Sequence, residues 1–221
     1  MKALLLTAAV ILFGGAASAQ TVAPAAPAPD LPRADAHFVI GWQNLHKNQP
    51  ENSNDWLNNI FYAGGGAGWY WTEHMKTQVD FGAGTRAHQY RYRQYSVNGF
   101  PTYESSRAAI QQQSLAIAQQ YQFFRNQWFH PHAGAGVELA RETSTVEYQP
   151  VFVYDNASRT SVQLSPGHTE GPEHKFIARP FAQTGFKAYM TRRAFFTADG
   201  RVMFRTGIDE VLFRFGFGVD F

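Results

Sequence analysis

The feature that most constrains this chain is a strict two-residue alternation at its C-terminal end, Glu210 to Phe221. One alternate set is apolar throughout: Val211, Phe213, Phe215, Phe217, Val219 and Phe221. The other set is mostly charged or very small: Glu210, Leu212, Arg214, Gly216, Gly218 and Asp220. Because strand side chains point alternately to two faces, the pattern predicts a strand with one apolar and one polar face. A second sheet could cover that face in a soluble sandwich, but a strand ending on the aromatic itself better suits a barrel with lipid outside and a polar lumen inside.

The N-terminal residues have the parts of a secretory signal peptide. Lys2 is the positive region, Ala3 to Gly15 is the apolar core, and Ala17-Ser18-Ala19 is a cleavage site. An N-terminal membrane anchor is the weaker interpretation because the apolar run is too short to span a bilayer. Residues 20–35 are rich in Ala and Pro and predict an extended, disordered leader, which assigns residues 36–221 to the barrel.

Composition excludes several classes of function. The chain has no cysteine, so it has no disulfide framework, thiol nucleophile or cysteine metal site. Its formal net charge of +2 lacks the clustered basic excess of a nucleic-acid-binding protein. Aromatic residues form 15% of the sequence, as the interfacial girdles of a barrel require.

Alternating segments recur along the chain and predict an all-β fold, a closed antiparallel up-and-down transmembrane barrel of eight strands. The predicted strands cover residues 36–45, 60–71, 75–92, 108–124, 128–142, 175–190, 194–205 and 210–221. Gln119 falls on the outward face of the fourth strand, between Ile117 and Tyr121, and the pattern does not explain it. The longest loop runs from about Thr143 to Glu173, and its segments 146–155 and 161–164 are a candidate hairpin.

The predicted connections differ in length according to parity. Connections two, four and six are tight turns, whereas one, three, five and seven are looser, with the last of them short. Outer-membrane barrels have short periplasmic turns and longer extracellular loops, and an even strand number leaves both barrel termini in the periplasm. A soluble sandwich has no reason to sort its loops in this way.

Three stretches resemble the small eight-stranded bacterial outer-membrane proteins, the OmpA-like and OmpW-like barrel group. They are the glycine-rich residues 63–70 and 133–137 and the terminal residues 215–221. The alternating C-terminal residues Phe213, Phe215, Phe217, Val219 and Phe221 also resemble the assembly signal of such proteins. The resemblance implies an outer-membrane location in a Gram-negative-type envelope, with membrane lipid and, through the C-terminal strand, the barrel-assembly machinery as partners.

Charged residues on the predicted inward faces are the first candidates for a functional site. They are Lys76, Asp80, Arg86, Glu138, Arg179, Lys187, Asp199, Arg201, Arg214 and Asp220. The interior of an eight-stranded barrel is just wide enough for side chains to fill it. These residues either pair into a network that seals the lumen or line a narrow polar conduit whose basic excess favours anions. The inward glycines either make room for Tyr62, Tyr70 and the arginine side chains or leave a cavity open.

His130 and His132 point to the same face of the fifth strand and, with Glu138, raise the possibility of a metal pair or a hydrolase site. The His-x-Ser strand of barrel lipid A deacylases would need a serine where His132 stands, and rim histidines are the simpler interpretation. We predict no catalytic residue, no metal site and no cofactor.

Aromatic residues in the long loop, Tyr148, Phe152 and Tyr154, are candidates for contact with a surface partner that the sequence does not identify. Alternatively, they stabilise the hairpin or belong to the outer aromatic girdle. The leading hypothesis is a non-enzymatic barrel with a largely sealed polar lumen that serves envelope integrity or surface interaction. The alternatives are a narrow porin-like channel for small solutes and, third, a barrel enzyme acting on lipid.

Overall fold

The computed structural model describes residues 33–46, 56–97, 100–124, 128–155 and 159–221. The predicted signal peptide, and the predicted leader up to residue 32, lie outside these residues. No helix in the described part of the chain is long and apolar enough to cross a membrane.

The described residues form eleven β-strands. In chain order these are β1 (Ala34–His46), β2 (Trp56–Tyr70), β3 (Met75–Gly84), β4 (Ala87–Val97), β5 (Phe100–Gln122), β6 (Phe129–Tyr148), β7 (Val151–Asp155), β8 (Thr160–Ser165), β9 (His168–Tyr189), β10 (Ala194–Phe204) and β11 (Ile208–Asp220).

Eight of these strands close into a ring. The hydrogen-bonded order is β3-β2-β1-β11-β10-β9-β6-β5, and β5 returns to pair with β3. Every pairing is antiparallel, and the ring closes in an unbroken register from Met75 opposite Tyr121 to Ala83 opposite Gln113. The predicted fold class is confirmed. In this ring β10 stands diametrically opposite β3, and β11 stands opposite β5, which determines which side chains meet across the interior.

The two faces of the ring differ as the sequence predicts. Of the C-terminal alternating set, Phe213, Phe217, Val219 and Phe221 are exposed on the outside, and Phe215 packs on Trp42 with ring centroids 5.6 Å apart. Inside, an apolar cluster of Val39, Tyr62, Ala116, Ala118, Phe181, Met203 and Leu212 is buried. An apolar exterior of this extent would be unstable in water and is the surface that a lipid bilayer covers.

Gln119 does lie on the outer face, and its neighbours explain how it is accommodated. The Thr77 hydroxyl donates to Gln119 Oε1 at 2.7 Å, and the Trp71 indole N–H donates to Thr77 Oγ1 at 2.7 Å. All three residues lie near the end of the ring that carries the exposed aromatics Trp69, Tyr121 and Phe123. Gln119 is therefore part of a polar chain within the interfacial aromatic girdle, where water and headgroups reach it.

Several predicted strand bounds are wrong, and all the large errors fall at one end of the ring. The predicted third strand, 75–92, breaks at Thr85 and Arg86 into β3 and β4, which pair with different parts of β5. β5 begins at Phe100, β6 runs on to Tyr148, and β9 begins at His168, so residues 143–148 and 168–173 of the predicted loop 143–173 belong to β6 and β9. The remaining part includes the predicted hairpin, formed by β7 and β8.

Beyond the ring, these longer strands continue as an open sheet. We call it the outer sheet: β4 and residues 100–112 of β5, 142–148 of β6 and 168–175 of β9, paired in that order. The opposite end has only short connections, at residues 71–74, 123–128 and 190–193, together with the first residue of β1 and the last of β11. Short turns mark the periplasmic end of such barrels, so the outer sheet lies on the extracellular side.

Candidate functional site

The periplasmic third of the interior is held by a cluster of charges centred on Asp35. Lys76 Nζ lies 3.0 Å and Lys187 Nζ lies 2.6 Å from Asp35 Oδ2, and the Tyr70 hydroxyl donates to the same oxygen at 2.9 Å. Lys187 also donates to Tyr70 Oη at 2.7 Å and lies 3.4 Å from Asp220 Oδ1. Five strands thus contribute to one cluster, because each of these residues is the inward member of its local alternation.

The middle of the interior contains two arginines and two aspartates. Arg214 binds Asp199 through both Nε (2.9 Å) and Nη2 (3.0 Å), the two-point geometry in which a guanidinium fits a carboxylate best. Arg214 Nη1 also lies 3.4 Å from Asp80 Oδ2, and Arg201 Nη2 donates to that same oxygen. His37 Nε2 lies 2.8 Å from Asp80 Oδ1. Asp80 on β3 therefore meets arginines from β10 and β11 on the far side of the ring.

The extracellular third contains one buried arginine among three carboxylates. Arg179 contacts Glu138 Oε1 through Nε at 3.0 Å and Nη2 at 2.7 Å, and its Nη1 donates to Asp209 Oδ2 at 2.6 Å. Its Nη2 also donates to Glu210 Oε2. At the rim, Arg205 Nη2 lies 2.8 Å from Asp209 Oδ1. The guanidinium therefore contacts all three acids at once.

Glutamine side chains link these charges to the wall of the barrel. Gln43 donates to Glu210 Oε1 at 2.8 Å, and Gln112 donates to Glu210 Oε2 at 2.9 Å from the opposite strand β5. Gln78 donates to both oxygens of Asp80 and accepts from Gln120 at 2.7 Å. Neutral amides satisfy lone pairs that the cations do not reach, which lowers the cost of burying the carboxylates.

The structure buries nine of the ten predicted lumen charges, all except Arg86. Arg86 is exposed, and its predicted inward position is wrong because the ring strand ends at Gly84 and the chain leaves the ring there. The predicted basic excess is also wrong. Among the described residues the buried charges are seven carboxylates and five cations, because Asp35, Asp209 and Glu210 join the predicted set.

Three participants were missed for different reasons. Asp35 was assigned to the leader, although the alternation extends back from Phe38 and puts Asp35 and His37 on the inward face. Asp209 was assigned to the last loop, whereas β11 begins at Ile208. Glu210 lies in the inward set of the C-terminal alternation but was not counted among the charges. Extending the first alternation backward would have found Asp35. Asp209 is out of phase with Glu210 and is buried where the register between β10 and β11 shifts, which an alternation does not reveal.

One cavity between these side chains is small. The cavity bounded by His37, Lys76, Gln78, His132, Lys187, Phe195, Thr197 and Asp199 has a volume of about 10 Å³, room for about one water molecule. The inward glycines make room for the large side chains. A Cβ at Gly82 would overlap the Tyr62 ring, and one at Gly68 would lie 2.7 Å from Lys76 Cδ.

The other predicted candidates are placed as follows. His130 and His132 are buried on the inner face of β6 near its periplasmic start, and the described residues contain no group of three His, Asp or Glu that could hold a metal ion. Tyr148 stacks on His168, with ring centroids 4.6 Å apart. Phe152 and Tyr154 are more than half exposed on the β7–β8 hairpin.

A closed antiparallel ring with an apolar outside, a charged inside and short turns at one end is the architecture of an integral outer-membrane protein. Residues 6–169 match the family model described as the outer membrane protein beta-barrel domain, and the chain belongs to this family. Its location is the outer membrane of a Gram-negative-type bacterium. No curated protein matches the chain.

Solved structures of the same fold share little sequence with this chain. Neisserial surface protein A is 13% identical, with a TM-score of 0.53 over 85% of this chain and 97% of that protein. The attachment invasion locus protein Ail of Yersinia pestis is 8% identical, with a TM-score of 0.48 over 86% and 99%. OprG of Pseudomonas aeruginosa is 11% identical, with a TM-score of 0.45 over 86% and 97%.

Proposed function

We propose that this integral outer-membrane barrel is a non-enzymatic protein with a sealed interior, which serves envelope integrity and surface interaction through its extracellular strands. The observation that carries the proposal is the bracing of the interior across its full diameter. Arg201 on β10 bonds Asp80 on the opposite strand β3, and Gln112 on β5 bonds Glu210 on the opposite strand β11. These two braces lie at different heights, so a solute would have to break both to pass.

The energetics of buried charge favour a seal over a conduit. Separating a buried ion pair leaves uncompensated charge in a medium of low dielectric, which costs several kcal/mol per ion. A conducting pore instead needs binding weak enough for ions to leave each site. The interior also has two more carboxylates than cations among the described residues, which is opposite to what an anion conduit requires.

Planar-bilayer recording tests the seal. The parent protein should show no steady, ion-selective conductance, because the braces occupy the cross-section. The double variant Arg201→Ala/Arg214→Ala should open an intermittent conductance that favours cations, since Asp80 and Asp199 then lose their arginine partners. Reversal potentials in a salt gradient measure the preference.

The matched control for that recording is Arg91→Ala/Arg93→Ala, which removes two arginines from the outer sheet and leaves the interior unchanged. It should be as silent as the parent. A stable open channel in the parent protein would overturn the sealed interior and favour the channel alternative.

We also propose that the C-terminal strand is recognised during barrel assembly through the Phe221 side chain. The Phe221 backbone N–H donates to the Ala34 carbonyl at 2.8 Å and its own carbonyl accepts from Arg33 at 2.8 Å, while the ring is 64% exposed. Backbone pairing and side chain can therefore be tested separately.

Phe221→Ala keeps the backbone pairing and removes the ring. It should lower the amount of protein that reaches the outer membrane, while protein refolded in detergent keeps the heat-modifiable gel shift of the parent. Arg33→Ala, which removes a neighbouring side chain at the same end, is the control. Equal membrane yields for Phe221→Ala and the parent would contradict the assembly role.

A further inference from the structure

The outer sheet has two side edges that differ in regularity. On one side, residues 168–180 of β9 pair with β6 but lie beyond the pairing with β10. This edge carries Glu170 and Glu173, contains Pro172, and its register shifts between Ser144 and Val146 of β6. A proline lacks the backbone N–H that pairing needs, and irregular register with charged residues protects an edge from further strands.

The other edge is β4, and it has no such interruption. β4 pairs with β5 in an unbroken register from Ala87 opposite Ile110 to Val97 opposite Phe100. Among the strands that the structure describes, β5 is the one that pairs with β4. Alternate backbone N–H and C=O groups along Tyr90–Ser96 therefore face away from the sheet, which is the geometry that accepts an added strand.

The arginines near this edge determine which charge an added strand would need. From Thr85 to Ile110 the chain has Arg86, Arg91, Arg93 and Arg107 against one acid, Glu104, which lies opposite Arg93. Arg107 lies opposite Glu147 of β6, whereas Arg91 lies opposite Ser106. Desolvation together with Arg107 and Arg86 lowers the pKa of His88, as expected in a positive field. A second copy of β4 paired antiparallel about Tyr92 would set Arg91 directly opposite Arg93, and like charges in direct opposition are destabilising.

Exposed aromatics stand on the outward face of the same two strands. Tyr90, Tyr92 and Tyr103 are each about 60% exposed, and the Arg107 guanidinium lies 5.8 Å from the centre of the Tyr90 ring. Such rings provide contact area for the side chains of an added strand at low entropic cost.

We propose that β4 is a docking edge that binds an extended acidic segment of another protein by β-strand addition. Main-chain hydrogen bonds along Tyr90–Ser96 would provide the affinity, and Arg91 and Arg93 would select for carboxylates. This inference rests on the surface role proposed above and names its surface and partner. A glycolipid phosphate could neutralise the arginines but offers no row of amides to pair with the strand.

The test uses the full chain refolded in detergent micelles and a synthetic peptide of alternating Glu and Val, about nine residues long to match the strand. Fluorescence anisotropy should detect saturable binding that weakens with salt. Hydrogen–deuterium exchange should slow about tenfold or more at Tyr90–Ser96 and not in the β7–β8 hairpin. The same peptide N-methylated at alternate amides should not bind, because it loses the donors that face the edge.

Charge variants give a second readout. Arg91→Glu/Arg93→Glu should weaken binding at least about tenfold, and Arg91→Lys/Arg93→Lys should keep most of it. Lys175→Glu reverses an exposed charge on the opposite edge of the outer sheet and should bind as the parent does. The heat-modifiable gel shift verifies that each variant is folded. The methylated peptide is tested against the parent protein, so that readout does not depend on any variant folding.

Several outcomes would overturn the proposal. These are equal binding of the methylated peptide, equal binding by the charge-reversed variant, or slowed exchange at Tyr90–Ser96 with lipopolysaccharide micelles but not with the peptide. Failure here is distinguishable from failure of the seal, because bilayer conductance and peptide binding are measured independently. If the parent protein conducts ions and also binds the peptide, the proposed docking edge stands and the sealed interior is refuted.

Discussion

Replacing Arg179 by methionine should lower the free energy of unfolding by about 3–5 kcal/mol, because it leaves three buried carboxylates without their shared cation. Arg179 contacts Glu138, Asp209 and Glu210, and its side chain is 2% exposed. Methionine keeps much of the volume and flexibility of the arginine stem, so the loss reports on charge more than on packing. Guanidinium unfolding of protein refolded into lipid vesicles measures it.

Two further variants isolate the cause. Arg205→Met removes an arginine that is 44% exposed and bonds Asp209 at the rim, so it should cost no more than about 1 kcal/mol. Adding Glu138→Gln and Glu210→Gln to Arg179→Met should restore most of the lost stability, since amides need no counter-charge. An Arg179→Met protein as stable as the parent would show that the carboxylates are not held by this cation.

The two-residue alternation was sufficient to predict the ring because bilayer and lumen impose opposite demands on neighbouring residues. Phe213 and Arg214 are adjacent in sequence, yet one faces lipid and the other is buried against Asp199. The same rule fails at the extracellular end, where the alternation continues along strands that have left the ring, as the buried Thr102, Ala108 and Ile110 of β5 show. There, an alternation no longer distinguishes a strand of the ring from one that has left it, as at Arg86.

The partners within the interior could not be predicted from spacing. Asp199 and Asp220 lie on the same two predicted strands as Arg201 and Arg214, and Asp199 does lie beside both arginines. Asp220 instead pairs with Lys187, at the periplasmic end. The stagger between neighbouring strands sets the height of each side chain, and alternation carries no information about stagger. Lys187 and Asp35 are 152 residues apart in sequence for the same reason.

The exterior should respond to charge according to depth. Val137 is an outward residue of β6 that is 52% exposed, within the apolar band that includes Leu139, and arginine there should cost about 2–4 kcal/mol near the bilayer midplane. Glu147→Arg places the same side chain on the same face of β6 in the outer sheet, opposite Arg107, and should cost no more than about 1 kcal/mol. Phe215→Arg, on β11, should resemble Val137→Arg with an added loss from the Trp42 contact.

Unfolding in vesicles of defined thickness measures the stability of all three variants. Equal tolerance of arginine at 137 and 147 would mean that no bilayer covers this face, because hydration alone cannot penalise an exposed guanidinium at one height and accept it at another.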